Sequence, residues 1–564
     1  MINPSARSGK SVFLFFLAIW FTLNVLQAAF TNLDPDEAYY WMYSKVLAWG
    51  YFDHPPAIAA LIKLGYALIP NELGVRVFTI LAQIGGFYGV WILLGKPQER
   101  KQVWTLIALL VAMPMLHVYG FVATPDAPLL LFTVWFLVLY QRFIEKDSWS
   151  NTFLLGACMA ALLYSKYHGV LLIFFVLLSN WRLLLNPKFY VASIFGALLF
   201  FPHLYWQYSH DFPSFRYHLV ERDDPYELKH TVTYVLNQLV IFNPFLFPML
   251  LVALLRQTTK DALYRAFIFL LIGFWGFFFY TSFKGHVEPQ WTVILCIPLV
   301  VIGWRYAVDH PKYDLWLKRF ALLTAILLLG VRIGLLKWSP FDLRTNFHRT
   351  VWVEELKNMT RGASIVFENS YRDPSMFTFY TGQQAYTFTD ANYRRNQFDI
   401  WDWEKDLQNQ TVVIAAQDSL ACNNCEQIKL TRKILKMMIA DSLQISQKVH
   451  FELPALSHFK AGETVSLNTT IQNPYKHMIH FGAGSMPLQV VAIFYAPEKE
   501  RVKSAPVVTF QPILQQLPPG RSQPFKAQFI VPDSLHGTYI FGLGIETGEL
   551  APAFNSALVK VIVN

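Results

Sequence analysis

Val12-Phe13-Leu14-Phe15-Phe16-Leu17-Ala18-Ile19-Trp20-Phe21 opens an apolar run that continues to Phe30, and Asp34-Pro35-Asp36-Glu37-Ala38-Tyr39-Tyr40-Trp41 follows almost at once. A second polar and aromatic stretch, Tyr51-Phe52-Asp53-His54-Pro55-Pro56, comes soon after. The apolar run is long enough to cross about 30 Å of hydrocarbon. Carboxylates beside a bilayer are costly unless they are hydrated, paired or used. This order of residues predicts a membrane helix that delivers a group of acids to the membrane surface.

The rest of the chain agrees with a membrane protein. Of 564 residues, 54% are hydrophobic, 16% aromatic and only 15% charged, against about 25% charged in soluble domains. The apolar residues crowd into the first 340 positions or so. The net charge of +9 does not indicate nucleic acid, because the basic residues gather in alternate loops. Runs near 12–30, 74–94, 103–119, 127–144, 153–166, 169–185, 190–207, 233–255, 264–282, 290–304 and 320–337 predict about eleven spans. Lys96, Arg100 and Lys101 follow the second of these, and Arg142 and Lys146 follow the fourth. Arg182 and Lys188, then Arg256, Lys260 and Arg265, then Arg305, Lys312, Lys318 and Arg319 keep the same parity. By the positive-inside bias, these loops and the N-terminus are cytoplasmic. The acidic motif, the later polar loops and the C-terminal tail then lie on the opposite side. The first span reads as a retained helix, since no small-residue cleavage site follows it.

Between the two polar stretches, Asp34 to Trp49 reads as a surface helix. Asp34 serves as N-cap, Pro35 takes the first helical position and Glu37 closes a capping box. Ala57 to Ile69 is apolar but too short to span, so it lies in the interface or dips in and returns. After about Pro340 the pattern changes. Residues 341–440 mix strand-like runs with helical stretches, which predicts a small α/β domain. Residues 441–564 alternate between turns, which predicts an immunoglobulin-like β-sandwich. Cys158 and Cys296 sit in apolar runs as small hydrophobes. Cys422 and Cys425 are expected to form a local disulfide if the tail is outside the cytoplasm, since no second pair supplies the ligands of a zinc site.

Capping explains Asp34 and much of Glu37. It does not explain Asp36, which gains only from the helix macrodipole. Asp126, in Thr124-Pro125-Asp126-Ala127-Pro128, lies on the same face, either as a helix start or as a second working carboxylate. Lys284-Gly285-His286-Val287-Glu288 is a third polar knot there, suited to a phosphate or a divalent ion, or serving as an interfacial anchor. Lys166 falls between two apolar runs, where a lysine is functional unless it snorkels. Arg216, His218, Arg222 and Lys229 add positive charge that could hold a lipid phosphate or simply be solvated. No Walker A loop, strand–GxGxxG–helix, HExxH or Gly-x-Ser-x-Gly is present. An ATP-driven pump or a cytosolic nucleotide-sugar enzyme is therefore unsupported.

These motifs resemble those of polytopic glycosyltransferases of the GT-C fold, in particular the family of the aminoarabinose transferase of lipid A and the protein O-mannosyltransferases. The resemblance rests on Asp36-Glu37-Ala38-Tyr39-Tyr40-Trp41, Gly50 to Pro56 and Thr124 to Pro128, with Ser165-Lys166-Tyr167, Phe201 to Trp206 and Lys284 to Trp291 in support. It covers roughly residues 10–340. It implies a polyprenyl-phosphate-sugar donor, a glycan, lipid or protein acceptor, and membrane lipid as surroundings, with no nucleic acid. It also implies a catalytic role for Asp36, with Glu37 and Asp126 beside it. Asp53, His54, Lys166, Arg222, Lys284, His286 and Glu288 are the candidate substrate-binding residues. His54 stands where relatives carry a lysine. No cofactor is clearly implied, although Asp53, His286 or Glu288 could bridge a divalent metal. The expected location is a bacterial inner membrane with the site and tail facing the periplasm. A transporter or flippase of lipid-linked glycans is the competing reading, and it would show two-half symmetry and charges deep within the spans.

Overall fold

The computed structural model describes residues 4–146, 148–218, 226–257, 261–339, 341, 343, 345, 347, 350–417, 425–496, 501–506, 509–511 and 515–564. It divides into two compact units, Met1–His348 and Arg349–Asn564.

The first unit is helical. In chain order it contains α1 (Pro4–Ala29), α2 (Pro35–Lys45), α3 (Ala57–Leu68), α4 (Glu72–Leu93), α5 (Arg100–Ala112), α6 (Pro114–Val118), α7 (Asp126–Glu145) and α8 (Trp149–Ser165). There follow α9 (His168–Ser179), α10 (Pro187–Ser209), α11 (Pro213–Arg216), α12 (Leu228–Ile241), α13 (Phe247–Arg256), α14 (Ala262–Thr281), α15 (Cys296–Asp309) and α16 (Pro311–Gly334). Six segments among the described residues are long and apolar enough to cross a membrane: Gly9–Ala29, Glu72–Leu93, Asp126–Glu145, Pro187–Ser209, Ala262–Thr281 and Pro289–Asp309. The protein is an integral membrane protein.

Several expected spans are interrupted rather than continuous. The 103–119 run breaks at Met113, before Pro114, into α5 and α6. The 233–255 run breaks at Asn243, before Pro244, into α12 and α13. Proline excludes its predecessor from the helical region and lacks an N–H. The 290–304 run begins as the 3-10 turn Pro289–Leu295, while the expected separation of 153–166 from 169–185 falls at Lys166, whose backbone is extended. Mean hydropathy does not register such breaks.

Asn243 shows how one break is held. It adopts φ of 75° and is fully buried. Its amide donates to Ala112 O and Thr324 Oγ1, both at 2.9 Å, and its oxygen accepts from the Phe245 N–H at 2.9 Å. The same side chain thus ties the end of α5, the turn before α13 and α16 together. Asn243→Ala is expected to cost about 1–3 kcal/mol, from the left-handed backbone and the stranded partners. A thermal midpoint in detergent equal to the wild type's would contradict this.

The second unit joins an α/β sheet to a β-sandwich. Strand β1 (Ser364–Glu368) lies centrally, parallel to β2 (Ala385–Phe388) on one side and β3 (Val412–Ala416) on the other. Strand β5 (Lys433–Ala440) then runs antiparallel to β3 and pairs with β4 (Glu426–Leu430). In the sandwich, Thr464–Gln472 pairs antiparallel with Ser522–Ile530, placing Leu467 opposite Ala527. Both strands alternate buried and exposed positions, as expected when one face covers a core. The opposing sheet runs in the order Arg501–Pro506, Leu488–Ala496, Gly537–Thr547, Val559–Val563, His458–Phe459. Phe459, Phe494 and Phe529 pack around Phe541 at ring separations of 5.1–5.6 Å. One buried cluster includes Val366 and Ile414 of the α/β sheet together with Phe494 and Phe541 of the sandwich. The two regions read from sequence as separate domains, 341–440 and 441–564, therefore share a core. Cys425 is disulfide-bonded, while Cys422 lies outside the described residues. Cys158 and Cys296 are free and buried.

Candidate active site

The site lies at the end of the helical unit that carries residues 31–54. Helix α2 begins as its sequence dictates. The Asp36 N–H donates to Asp34 Oδ1 at 3.0 Å, and the Asp34 N–H donates to Glu37 Oε2 at 2.9 Å. Glu37 does more than cap. It is fully buried and paired with Arg76 of α4, Nε to Oε1 at 2.8 Å and Nη2 to Oε2 at 2.5 Å. Its Oε1 also accepts the Ala123 N–H at 2.7 Å. Arg76 donates further to the carbonyls of Ala28 (3.0 Å), Thr31 (2.7 Å) and Asn32 (2.7 Å). All five guanidinium hydrogens are thereby used. The Glu37 carboxylate is a clasp that joins α1, α2, α4 and the loop before Asp126. Both oxygens of Glu37, expected from the sequence to stand beside Asp36 in catalysis, are engaged in these bonds. Arg76 was not among the sequence candidates, although a lone arginine in an apolar span is a recognisable signal.

Asp36 is half-buried at the second position of α2. Its surroundings are acidic. Tyr119, just after α6, is buried. Asp126, Asp34, Glu288 and Asp36 all lie within electrostatic reach of its phenol. The structure brings Asp36, Asp126 and Glu288 into one electrostatic neighbourhood.

Asp126 and Lys166 form a buried ion pair, Nζ to Oδ1 at 2.8 Å, with side chains about 5% exposed. Removing one partner from such a pair strands a buried charge. Lys166→Met alone is expected to cost about 2–3 kcal/mol. Combining it with Asp126→Asn should recover much of that loss, because the stranded carboxylate is then neutral. Thermal midpoints of the two single variants and the double variant test this; strictly additive losses would refute the coupling.

Asp53 is also buried, and its carboxylate accepts from the Tyr43 hydroxyl while its carbonyl faces His218 Nε2 at 3.1 Å. The Tyr43 ring stacks on Tyr51 at 4.2 Å. His54 packs edge-on to Tyr40 at 5.6 Å. In the loop after α14, His286 Nε2 stands 3.9 Å from Glu288, both well exposed, and Lys284 lies 6.0 Å from the Tyr280 ring. His230 of α12, another residue the sequence reading missed, faces the His286 ring at 6.2 Å. Arg222 lies outside the described residues. Among the described residues, no three His, Cys, Asp or Glu side chains are grouped to hold a metal ion.

A bundle of broken helices with acids, a buried lysine and aromatics gathered at one end has the architecture of GT-C membrane proteins. Residues 53–206 match the family model described as dolichyl-phosphate-mannose-protein mannosyltransferase. The chain is similar in fold to ArnT from Cupriavidus metallidurans in the apo state, with TM-score 0.56 and 13% identity over 76% of this chain and 98% of that one. It is similar as well to ArnT bound to undecaprenyl phosphate, with TM-score 0.55 and 13% identity over 75% and 97%. No curated protein sequence matches the chain. The chain therefore has the GT-C fold, and its segment 53–206 carries the pattern of a glycosyltransferase family.

Proposed function

We propose that this protein transfers a sugar from a polyprenyl-phosphate donor to a glycan, lipid or protein acceptor on the non-cytoplasmic side of a bacterial inner membrane. The observation that carries this reading is the division of labour within Asp36-Glu37. Glu37 is locked by Arg76, whereas Asp36, the adjacent residue of α2, is only half-buried. The match of residues 53–206 to the mannosyltransferase family supports the same chemistry, and undecaprenyl phosphate is bound by the structurally similar ArnT.

In this mechanism Asp36 accepts the proton of the acceptor hydroxyl as its oxygen attacks the anomeric carbon. The bond from that carbon to the donor phosphate oxygen breaks, and the electron pair remains on the phosphate. A single displacement of this kind inverts the anomeric centre. The departing phosphate needs positive charge, which we assign to Lys284, His286 and Arg222, with His54 and Asp53 lining the approach. Lys166 is already neutralised by Asp126 and acts mainly by holding that carboxylate in place. Glu288 faces His286 and orients it.

Mass spectrometry of envelope glycans and polyprenyl-linked sugars after gene deletion tests the proposal. A lipid-linked sugar should accumulate while one residue disappears from an acceptor. An unchanged donor pool with unchanged glycans would overturn it.

A further inference from the structure

Helix α10 reaches the site end with two polar residues one turn apart, His203 and Gln207, both fully buried. His203 Nδ1 lies 2.7 Å from the Trp49 carbonyl, which can only accept, so the ring proton sits on Nδ1. His203 Nε2 then accepts from the Tyr167 hydroxyl at 3.0 Å. That hydroxyl in turn accepts from Gln207 Nε2 at 3.0 Å, whose second hydrogen goes to Ser214 Oγ at 2.7 Å. Ser214 passes its own hydrogen to the Tyr51 carbonyl at 3.0 Å, and its N–H faces Gln207 Oε1 at 3.3 Å. Each polar hydrogen in this chain is used once, in one direction.

The chain binds two loops and the short helix α11 to α10. Trp49 and Tyr51 flank Gly50 in the loop that leads to Asp53. Tyr167 directly follows Lys166, the partner of Asp126. Ser214 lies just before His218, which meets the Asp53 carbonyl. The packing leaves no slack at Gly50, where an added Cβ would fall 2.3 Å from the Trp206 ring and 3.0 Å from His203 Nδ1. The loop carrying Asp53 and the loop carrying Lys166 therefore share one reference point, the imidazole of His203.

We infer that His203, with Gln207 behind it, is a positioning residue that sets the Asp53 loop and the Lys166 loop in register through its two ring nitrogens. Neither residue needs to touch substrate. The consequence for turnover rests on the transferase reading; the loop placement does not.

The two ring nitrogens can be tested separately in the full chain in nanodiscs. Asparagine places an amide near the Nδ1 position, and glutamine places one near the Nε2 position. Hydrogen exchange, corrected for intrinsic rates, is read at residues 46–54 and 165–168. His203→Ala should raise exchange in both loops by about tenfold, the factor for losing roughly one net hydrogen bond. His203→Asn should keep the 46–54 loop near wild type and loosen 165–168, and His203→Gln should do the reverse. Three variants that match the wild type, or three that loosen both loops equally, would overturn the inference. In a transfer assay, His203→Asn should raise KM for the polyprenyl-phosphate donor more than it lowers kcat. The expected exchange pattern without transfer in the wild type would sink the transferase reading alone.

Discussion

Asp36→Asn leaves the protein folded and lowers transfer by about 10²–10⁴-fold, the range of a lost general base. The substitution keeps the size and hydrogen-bonding capacity of the side chain but removes its affinity for a proton. It also keeps the start of α2, because the Asp36 N–H, not its side chain, answers Asp34. Thermal midpoint and yield should therefore match the wild type while kcat collapses. Near-normal kcat would remove Asp36 from the mechanism. A lowered midpoint would show instead that its carboxylate has a structural part.

Arg76→Lys produces the opposite signature, a loss of fold rather than of chemistry alone. Three ammonium hydrogens cannot replace five guanidinium hydrogens directed at Glu37, Ala28, Thr31 and Asn32. The carbonyls left behind lie in a buried region, and the ion pair loses its bidentate geometry. Breaking a buried pair of this kind costs about 3–5 kcal/mol. Poor yield or a much lower thermal midpoint is expected for Arg76→Lys and for Glu37→Gln. A stable Arg76→Lys protein with only its turnover reduced would mean that the pair works in catalysis and not as a clasp.

The contrast between these neighbours shows where sequence reading succeeds. The capping box was legible because Asp34, Pro35 and Glu37 occupy fixed offsets from a helix start. The second duty of Glu37 was not, because Arg76 and Ala123 approach it from remote parts of the chain. His203, Gln207 and His230 escaped for the same reason: each has partners brought in by packing from remote parts of the chain. The breaks before Pro114 and Pro244 were present in the sequence as local signals. Averaging hydropathy along a span hid them. The shared core of the tail was hidden as well, since alternation along a strand reports that a face is buried but not what covers it.

Helix α1 and helix α16 stand at opposite ends of the membrane unit in chain order, yet Arg332 of α16 donates to Asn24 Oδ1, and Gln27 of α1 donates to the Arg332 carbonyl at 3.1 Å. The guanidinium also rests between the rings of Trp20 and Phe121, at 5.5 and 5.3 Å. During synthesis, the oxygen of Asn24 must wait for a residue made 308 positions later. A charged guanidinium favours a prepared niche of aromatic faces and an amide over lipid at that moment, because the cost of a lone arginine in hydrocarbon is high. The first helix thus serves as the receiving dock for the last, and closure of the bundle becomes a late event in biogenesis. A chain that stops before α16 would leave this polar seam half-built, with Asn24 Oδ1 lacking the guanidinium it accepts from in the finished bundle.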